Sequence, residues 1–364
     1  MSQAQTPMPA DSLLDGATPD HERFRDVVVD QRAVAADPNR PLEERLEAFE
    51  DVIDSEVGDT AFSRARNVER EVGCRQIFLK FEGGNPTGTQ KDRIAFAQVM
   101  DALRRGFDAI TMATCGNYGA AISTAASIAG LRCLIYIPQA YQSKRLVEME
   151  QPGVEITRVP GDYEHAVEVS RERATSEEIY DANPGGANTA LQLHAYGEIA
   201  TEIYDELRDA PAAVAVPVSN GTTLAGIYKG FLSLYRRGKT SRMPRFIAGS
   251  TYGKNPIVHT LLKNMPSCGD LAPERIRESK VNEPLINWHA IDGDNAVEAV
   301  RATKGHAAYA TDRSMLTYAK LLREREGLSV LPASTAGLIA LLDLHQRQAL
   351  PNDRYVAVLT GKRT

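Results

Sequence analysis

Cysteine is scarce and scattered in this sequence: Cys74, Cys115, Cys133 and Cys268 never fall into a C-x-x-C pair. Neither a disulfide framework nor a zinc cluster is indicated, and a reducing, cytoplasmic setting fits best. Excess basic charge is also missing. The formal net charge is −6, so there is no broad positive stripe to hold a phosphate backbone. No run of about eighteen apolar residues occurs that could span a bilayer. Nucleic acid and membrane therefore drop out as leading partners, and a small molecule takes their place. Residues 1–20 are rich in Ala, Pro, Asp and Gln and lack both a basic n-region and an apolar h-region. They are read as a mobile extension, not a signal peptide.

What is present is a core. With 364 residues and 43% hydrophobic content, the chain has enough apolar material for one large or two medium domains. From Ile77 onward, short apolar runs alternate with small-residue turns and helix-like segments, the βα pattern of a parallel sheet. Strands are expected over 77–81, 109–113, 133–137, 154–159, 213–218, 246–249 and 355–359. Helices are expected over 92–103, 117–129, 163–173, 191–207, 222–235 and 335–345. Residues 181–189 break the pattern as a possible domain crossing. Residues 252–294 break it again, as a surface excursion that could carry a subunit contact.

Ligands of open parallel sheets sit beyond the carboxyl ends of the strands, so the residues that follow each strand matter most. After the first run comes Asn85-Pro86-Thr87-Gly88-Thr89-Gln90-Lys91-Asp92-Arg93, a turn that delivers Lys91 to a helix start. A Walker A loop needs Gly before the lysine and Ser or Thr after it, and Gln90 and Asp92 rule that out. A lysine whose pKa is lowered can form a Schiff base with an aldehyde. Turn and spacing alone leave a solvated lysine the commoner outcome.

After the second run, Thr114-Cys115-Gly116-Asn117-Tyr118 leads into an Ala-rich helix whose first amides suit a carboxylate or a phosphate, unless Asn117 merely caps its own helix. After the fifth, Ser219-Asn220-Gly221-Thr222-Thr223 can surround a phosphate dianion with amides and hydroxyls, and an ordinary cap is again the alternative. Thr360-Gly361 ends the last run, where a hydroxyl can bond a ring nitrogen. Cys115 stands at a helix start, which lowers a thiol's pKa, although a polar stand-in for serine is the plainer reading.

In this order, the segments resemble the fold type II pyridoxal-phosphate (PLP) enzymes, the tryptophan synthase β-like family, and within it the threonine synthases. Asn85 to Arg93 looks like that family's N-P-T-G-S-F-K-D-R. Gly58 to Phe62 looks like G-x-T-P-L, Lys80-Phe81-Glu82 like K-x-E, Thr114 to Asn117 like T/S-S-G-N, Pro332 to Ala336 like P-x-S-x-A, and Thr360-Gly361 like its terminal T-G.

The resemblance implies two open, twisted, mostly parallel α/β sheet domains with flanking helices and PLP in the cleft between them. The large domain would comprise 21–93 and 198–364, and the small mobile domain 94–197. Lys91 would form the Schiff base and move the substrate α-proton. Asn117 would contact the cofactor O3′. Ser219, Asn220, Gly221, Thr222 and Thr223 would hold its phosphate, and Thr360 would bond its pyridine nitrogen. The substrate would meet Thr114, Cys115, Gly116, Asn117 and Tyr118, with Lys144 and Arg145, or Arg93, as cations for a second phosphate. No metal is expected, and family members are usually homodimers.

The implied reaction converts O-phosphohomoserine and water to threonine and phosphate. β-Replacement, β-elimination and non-catalytic amino-acid binding are the alternatives. Gln90, Cys115 and Tyr118 depart from the family pattern where substrate specificity is set, and the tail Thr360-Gly361-Lys362-Arg363-Thr364 departs from T-G-H-G-x-K-D.

Overall fold

The computed structural model describes residues 31–363 except 115 and 142–144. The expected N-terminal extension therefore lies outside the described residues, as do Cys115 and Lys144. Two sheets carry the chain. The larger has six strands: β1 (Phe62–Arg64), β2 (Ile77–Phe81), β7 (Ala213–Pro217), β8 (Arg245–Thr251), β9 (His306–Ala310) and β10 (Tyr355–Leu359), in the spatial order β1-β2-β10-β7-β8-β9. Only β1 runs antiparallel to its neighbour. The smaller sheet is wholly parallel, with order β5-β4-β3-β6, built from β3 (Ala109–Ala113), β4 (Arg132–Pro138), β5 (Val154–Val159) and β6 (Tyr180–Asp181).

Every residue of β3, β7 and β10 is buried, as unbroken apolar runs require when helices cover both faces of a sheet. The helices that matter for the cleft are α1 (Leu42–Glu56), α3 (Lys91–Arg104), α4 (Asn117–Ile128), α7 (Thr189–Leu207) and α8 (Thr222–Arg236). The short α2 (Arg66–Val72) lies between β1 and β2, and α5 (Leu146–Met149) and α6 (Tyr163–Ser176) flank β5. In the second half come α9 (Pro256–Leu262), α10 (Gly293–Ala302), α11 (Asp312–Glu326) and α12 (Ala336–Arg347). Helices α7 and α8 approach so closely that a Cβ on Gly230 would lie 2.4 Å from the Gly197 carbonyl oxygen. The chain leaves the small sheet at β6, and α7 then packs on α8.

Strand direction explains the position of the site. Adjacent parallel strands β2, β10, β7 and β8 all end on one edge, so the Lys91 turn, Thr360, the 219–223 loop and the 252–294 tract emerge side by side. That last tract is not the surface excursion expected from its lack of periodicity. It contains α9, buries Asn282, Leu285 and Asp292, and returns across the strand ends.

The lysine turn is anchored by a buried ion cluster. Arg93, one helical half-turn beyond Lys91, donates through Nε and Nη2 to both oxygens of Glu82 (2.6 and 3.0 Å) and through Nη1 and Nη2 to Glu202 of α7 (2.6 and 3.0 Å). Lys80 pairs with Glu202 and donates to the Thr60 carbonyl at 2.5 Å, while Thr60 Oγ1 donates to Glu82 at 2.7 Å. Arg93 is therefore not a cation at the cleft mouth. Burial acts to lower its pKa, and Glu82 and Glu202 outweigh it and leave the pKa raised.

Removing one member of such a cluster strands buried charge. Arg93→Met is expected to lower the unfolding free energy by about 3–5 kcal/mol in urea denaturation. Arg132→Ala, which breaks the exposed Arg132–Glu155 pair, is expected to cost under about 1 kcal/mol. Equal midpoints for the two variants would contradict this account.

Candidate active site

The turn after β2 makes Lys91 the first residue of α3. Asp92 holds that turn, accepting from the Thr87 amide at 3.0 Å and from Thr87 Oγ1 at 2.8 Å. Burial pushes the Asp92 carboxyl up to about 6 against these bonds. The turn is also joined to the end of the chain. Gln90 N donates to Thr360 O at 3.0 Å, and Lys362 N donates to Gly88 O at 2.9 Å. The tail that departs from the family pattern thus still wedges between the lysine turn and residues 329–331, where Leu331 N donates to Gly361 O.

Lys91 Nζ sits 5.7 Å from the centroid of the Tyr118 ring, in a cleft of about 1040 Å³ including its open mouth. Burial lowers its pKa to about 8, and the Asp292 carboxylate partly opposes the shift. This is no solvated helix-start lysine. Its amine is far more available as a nucleophile at neutral pH than an ordinary one.

Three further strand ends meet in the same cleft. Gly116 caps α4 and Gly221 caps α8, and a glycine has no side chain to offer its helix a cap bond. The first helical bonds are Ala120 N to Gly116 O and Ala225 N to Gly221 O. The preceding amides (117–119 and 222–224) therefore lie ahead of the ladder, the arrangement that attracts anions.

Gly221 is demanded twice over: its φ is +93°, and a Cβ there would meet the Asp292 carbonyl oxygen at 2.8 Å and Ala296 Cβ at 2.9 Å. Ser219, Asn220, Gly221, Thr222 and Thr223 all line the cleft, as do Thr114, Gly116, Asn117, Tyr118 and Thr360. Thr360 Oγ1 lies 3.2 Å from Ser334 Oγ.

Several expected roles change with this geometry. The Thr222 hydroxyl donates to Asp292 at 2.5 Å, which leaves the backbone amide, not the side chain, to face an anion. The Tyr118 hydroxyl is turned into the core, donating to Ala182 O at 3.0 Å and receiving from Gln98, so only its ring and amide serve the cleft. Arg145 is buried and lies outside the cleft lining, paired with Glu148 and donating to Thr87 O at 2.9 Å. It braces the lysine turn instead of projecting as a surface charge.

The structure also brings in residues that sequence reasoning missed. Asn255 Nδ2 donates to Ser219 O at 2.9 Å, Asn287 bonds Asn220, and the Asp292 amide donates to Asn220 O at 3.0 Å. Together they fix the 219–223 loop. Glu283 and Leu285 line the cleft from the same tract. The one sequence signal in that region was its excess of Asn, Asp and Pro, which marks turns without saying what they face.

The donor set fits PLP: a buried amine of lowered pKa for its aldehyde, a glycine-capped helix start for its phosphate and a neutral hydroxyl for its ring nitrogen. Comparison with known proteins agrees. Residues 53–361 match the family described as pyridoxal-phosphate dependent enzyme. The chain is 28% identical to the threonine synthase of Methanocaldococcus jannaschii over 307 residues, 84% of this chain and 74% of that one. It is 31% identical to the threonine synthase of Mycobacterium tuberculosis over 290 residues, 78% and 75% of the two chains. Among solved structures, maize serine racemase superposes with a TM-score of 0.71 at 17% identity, covering 88% of this chain and 93% of that one. A threonine deaminase from T.th. superposes with a TM-score of 0.72 at 18% identity, covering 88% and 97%. The chain belongs to the pyridoxal-phosphate dependent enzyme family, in its fold type II form.

Proposed function

We propose that the cleft runs threonine-synthase-like chemistry, cleaving the phosphate ester of O-phosphohomoserine and adding water to give threonine. The observation that carries the reading is the meeting of the Lys91 amine, two glycine-capped helix starts and Thr360 in one cleft, in a chain whose relatives at 28–31% identity are threonine synthases.

The cofactor, when bound, supplies delocalisation of negative charge from the substrate α-carbon. The protein's own residues do the rest. Lys91 would hold the cofactor through its aldehyde and would move the α-proton. The amides at the start of α4, with Thr114 and Asn117, orient the substrate carboxylate. Those at the start of α8 hold the cofactor phosphate, with the hydroxyl of Thr223. Thr360 would be a neutral partner for the ring nitrogen and would not enforce its protonation, which favours elimination and replacement over transamination. Residues 94–197 act as the mobile domain that closes on the substrate, and two chains assemble as a homodimer in the cytoplasm.

A second reading keeps the cofactor site and changes the reaction to β-elimination or β-replacement on a small hydroxy- or acyloxy-amino acid. One observation favours it: among the described cleft residues Lys91 is the one cation and Glu283 is an acid in the lining, while Arg93 and Arg145 are engaged elsewhere. Lys144 lies outside the described residues.

The PLP-loaded protein is expected to release inorganic phosphate and threonine in equal amounts from O-phosphohomoserine. Pyruvate or replacement product from serine, O-phosphoserine or O-acetylserine, with O-phosphohomoserine untouched, would put the second reading in its place. Cofactor binding without turnover of any amino acid would leave a binding protein.

The chemistry of Lys91 gives a separate test. Only the neutral amine attacks an aldehyde, and with a pKa of about 8 roughly a tenth of it is neutral at pH 7, against about 1 in 3,000 for an ordinary lysine. The rate at which apoprotein captures PLP, followed by absorbance, is expected to rise with pH and level off above about 8. Because Asp292 stabilises the ammonium, Asp292→Asn should move the inflection downward. An inflection near 10.5, or an upward move in the variant, would refute the burial argument.

A further inference from the structure

Among the described residues lining the cleft, Lys91 and Glu283 are the two titratable side chains other than tyrosines. Lys91 belongs to the cofactor. Glu283 is not among the residues assigned to the cofactor or the substrate carboxylate, and it is presented to the cleft by a bracket of hydrogen-bonded turns. Its amide donates to Ser279 O at 3.0 Å, and the preceding Asn282 is buried. Asn282 Oδ1 receives the Ser279 amide at 2.9 Å, while Ser279 Oγ donates to Asp312 at 2.6 Å. Pro284 follows and limits backbone freedom further.

The carboxyl reaches across to the small-sheet side. Glu283 Oε1 accepts from Tyr141 Oη, on the loop after β4, at 3.0 Å. The same oxygen lies 3.6 Å from the point a Cβ would occupy on Gly116, the cap of the helix start that orients the substrate carboxylate in the proposed reading. A substrate whose carboxylate is held at that helix start would have Glu283 beside it in the cleft. Among the described residues no lysine or arginine pairs with this carboxyl. Burial raises its pKa, Tyr141 opposes that rise, and Glu278 on the same tract adds to it, so the proton is held more tightly than on an ordinary glutamate.

We infer that Glu283 is the proton donor to the oxygen that leaves the substrate side chain, with Tyr141 as its positioning residue. The inference rests on the reading of this cleft as one that breaks a carbon–oxygen bond. In the step, the bond from side-chain carbon to oxygen breaks and its electron pair stays on oxygen, the pair released when the neighbouring carbon loses its proton becomes a carbon–carbon double bond, and the Glu283 proton moves to the departing oxygen. A phosphate ester dianion then departs as hydrogen phosphate dianion, and a hydroxyl departs as water. Glu283 remains as a carboxylate, stabilised by the Tyr141 hydroxyl, and takes a proton back from solvent. Without a donor the ester would have to expel the trianion of phosphate, and the alcohol would have to expel hydroxide.

A leaving group that needs no proton separates this role from a structural one. The holoenzyme and Glu283→Gln are compared on two pairs of substrates: O-phosphohomoserine against 2-amino-4-chlorobutyrate, and serine against β-chloroalanine. Within whichever pair the wild type turns over, the variant is expected to lose about 10² to 10⁴-fold on the oxygen leaving group. It is expected to lose less than about threefold on chloride. Its PLP dissociation constant and cofactor absorbance should match the wild type. Tyr141→Phe should show a smaller loss split the same way, which supplies the test if Glu283→Gln fails to take up PLP. Equal losses on both leaving groups, or no loss on either, overturn the inference while leaving the reaction assignment intact. A wild-type holoenzyme that cleaves neither oxygen substrate removes the reaction assignment, and the inference with it.

Discussion

The buried guanidinium of Arg93, forked between Glu82 and Glu202, is the constraint on which the cleft depends. One residue holds the end of β2, the first turn of α3 and the middle of α7, and all three bear on where Lys91 lies. The charges are taken out of water, which costs several kcal/mol per ion, so the cluster holds only because nearly every donor and acceptor is matched. Thr60, Lys80 and Asn85 complete it: the Asn85 side chain donates to Glu82 at 3.1 Å and receives the Gly58 amide at 3.0 Å. Segments 58–62, 80–82 and 85–93, three separate motifs in the sequence, are thus one electrostatic unit in the fold. The polar material is used for register and position. The apolar core supplies the bulk of the stability, as where Phe49 of α1 stacks on Phe96 of α3 at 5.7 Å.

Built on that anchor, the site is a consequence of sheet topology. Parallel strands release their loops on one edge, and the order β2-β10-β7-β8 puts the lysine turn beside Thr360 and Thr360 beside the 219–223 loop, although these are far apart in sequence. Because β10 lies between β2 and β7, the lysine turn is tied to residues that follow β10. The bonds from Gln90 to Thr360 and from Lys362 to Gly88 mean that truncation there would release the turn as well as remove the Thr360 hydroxyl.

The strands of the two sheets and their covering helices were legible because buried runs bounded by glycine-rich turns carry a strong periodic signal, and Lys91, Asn117, Gly221 and Thr360, singled out at the ends of such runs, line one cleft. The short strands β1 and β6 were not, since two or three residues make no pattern, and β9 was hidden by its alanines. Arg93 and Arg145 looked like candidates for a substrate phosphate because charge is visible in a sequence and burial is not. The tract 252–294 was opaque for a different reason. It works through single side chains, Asn255, Glu283, Asn287 and Asp292, each aimed by turns, and no periodicity announces a residue that acts alone.

The charges of the cleft explain why those unheralded acids are there. Two helix starts and a lysine all direct positive potential into one space, which suits an anionic cofactor and a substrate carboxylate. Left unopposed, that potential would drive the Lys91 pKa lower still and hold any anion indiscriminately. Asp292 offsets it at the α8 start, accepting from Thr222 and holding the Lys91 pKa up toward 8. Glu283 lies at the α4 start, its Oε1 3.6 Å from the point a Cβ would occupy on Gly116. The two helix starts differ in the acid beside each: at α8 the Asp292 carboxylate is tied to a threonine hydroxyl, whereas at α4 the Glu283 carboxyl has a tyrosine as its one described side-chain partner. A group held so lightly can change its protonation state as bonds in the substrate break, and one tied into the loop's own framework cannot do so without loosening the loop.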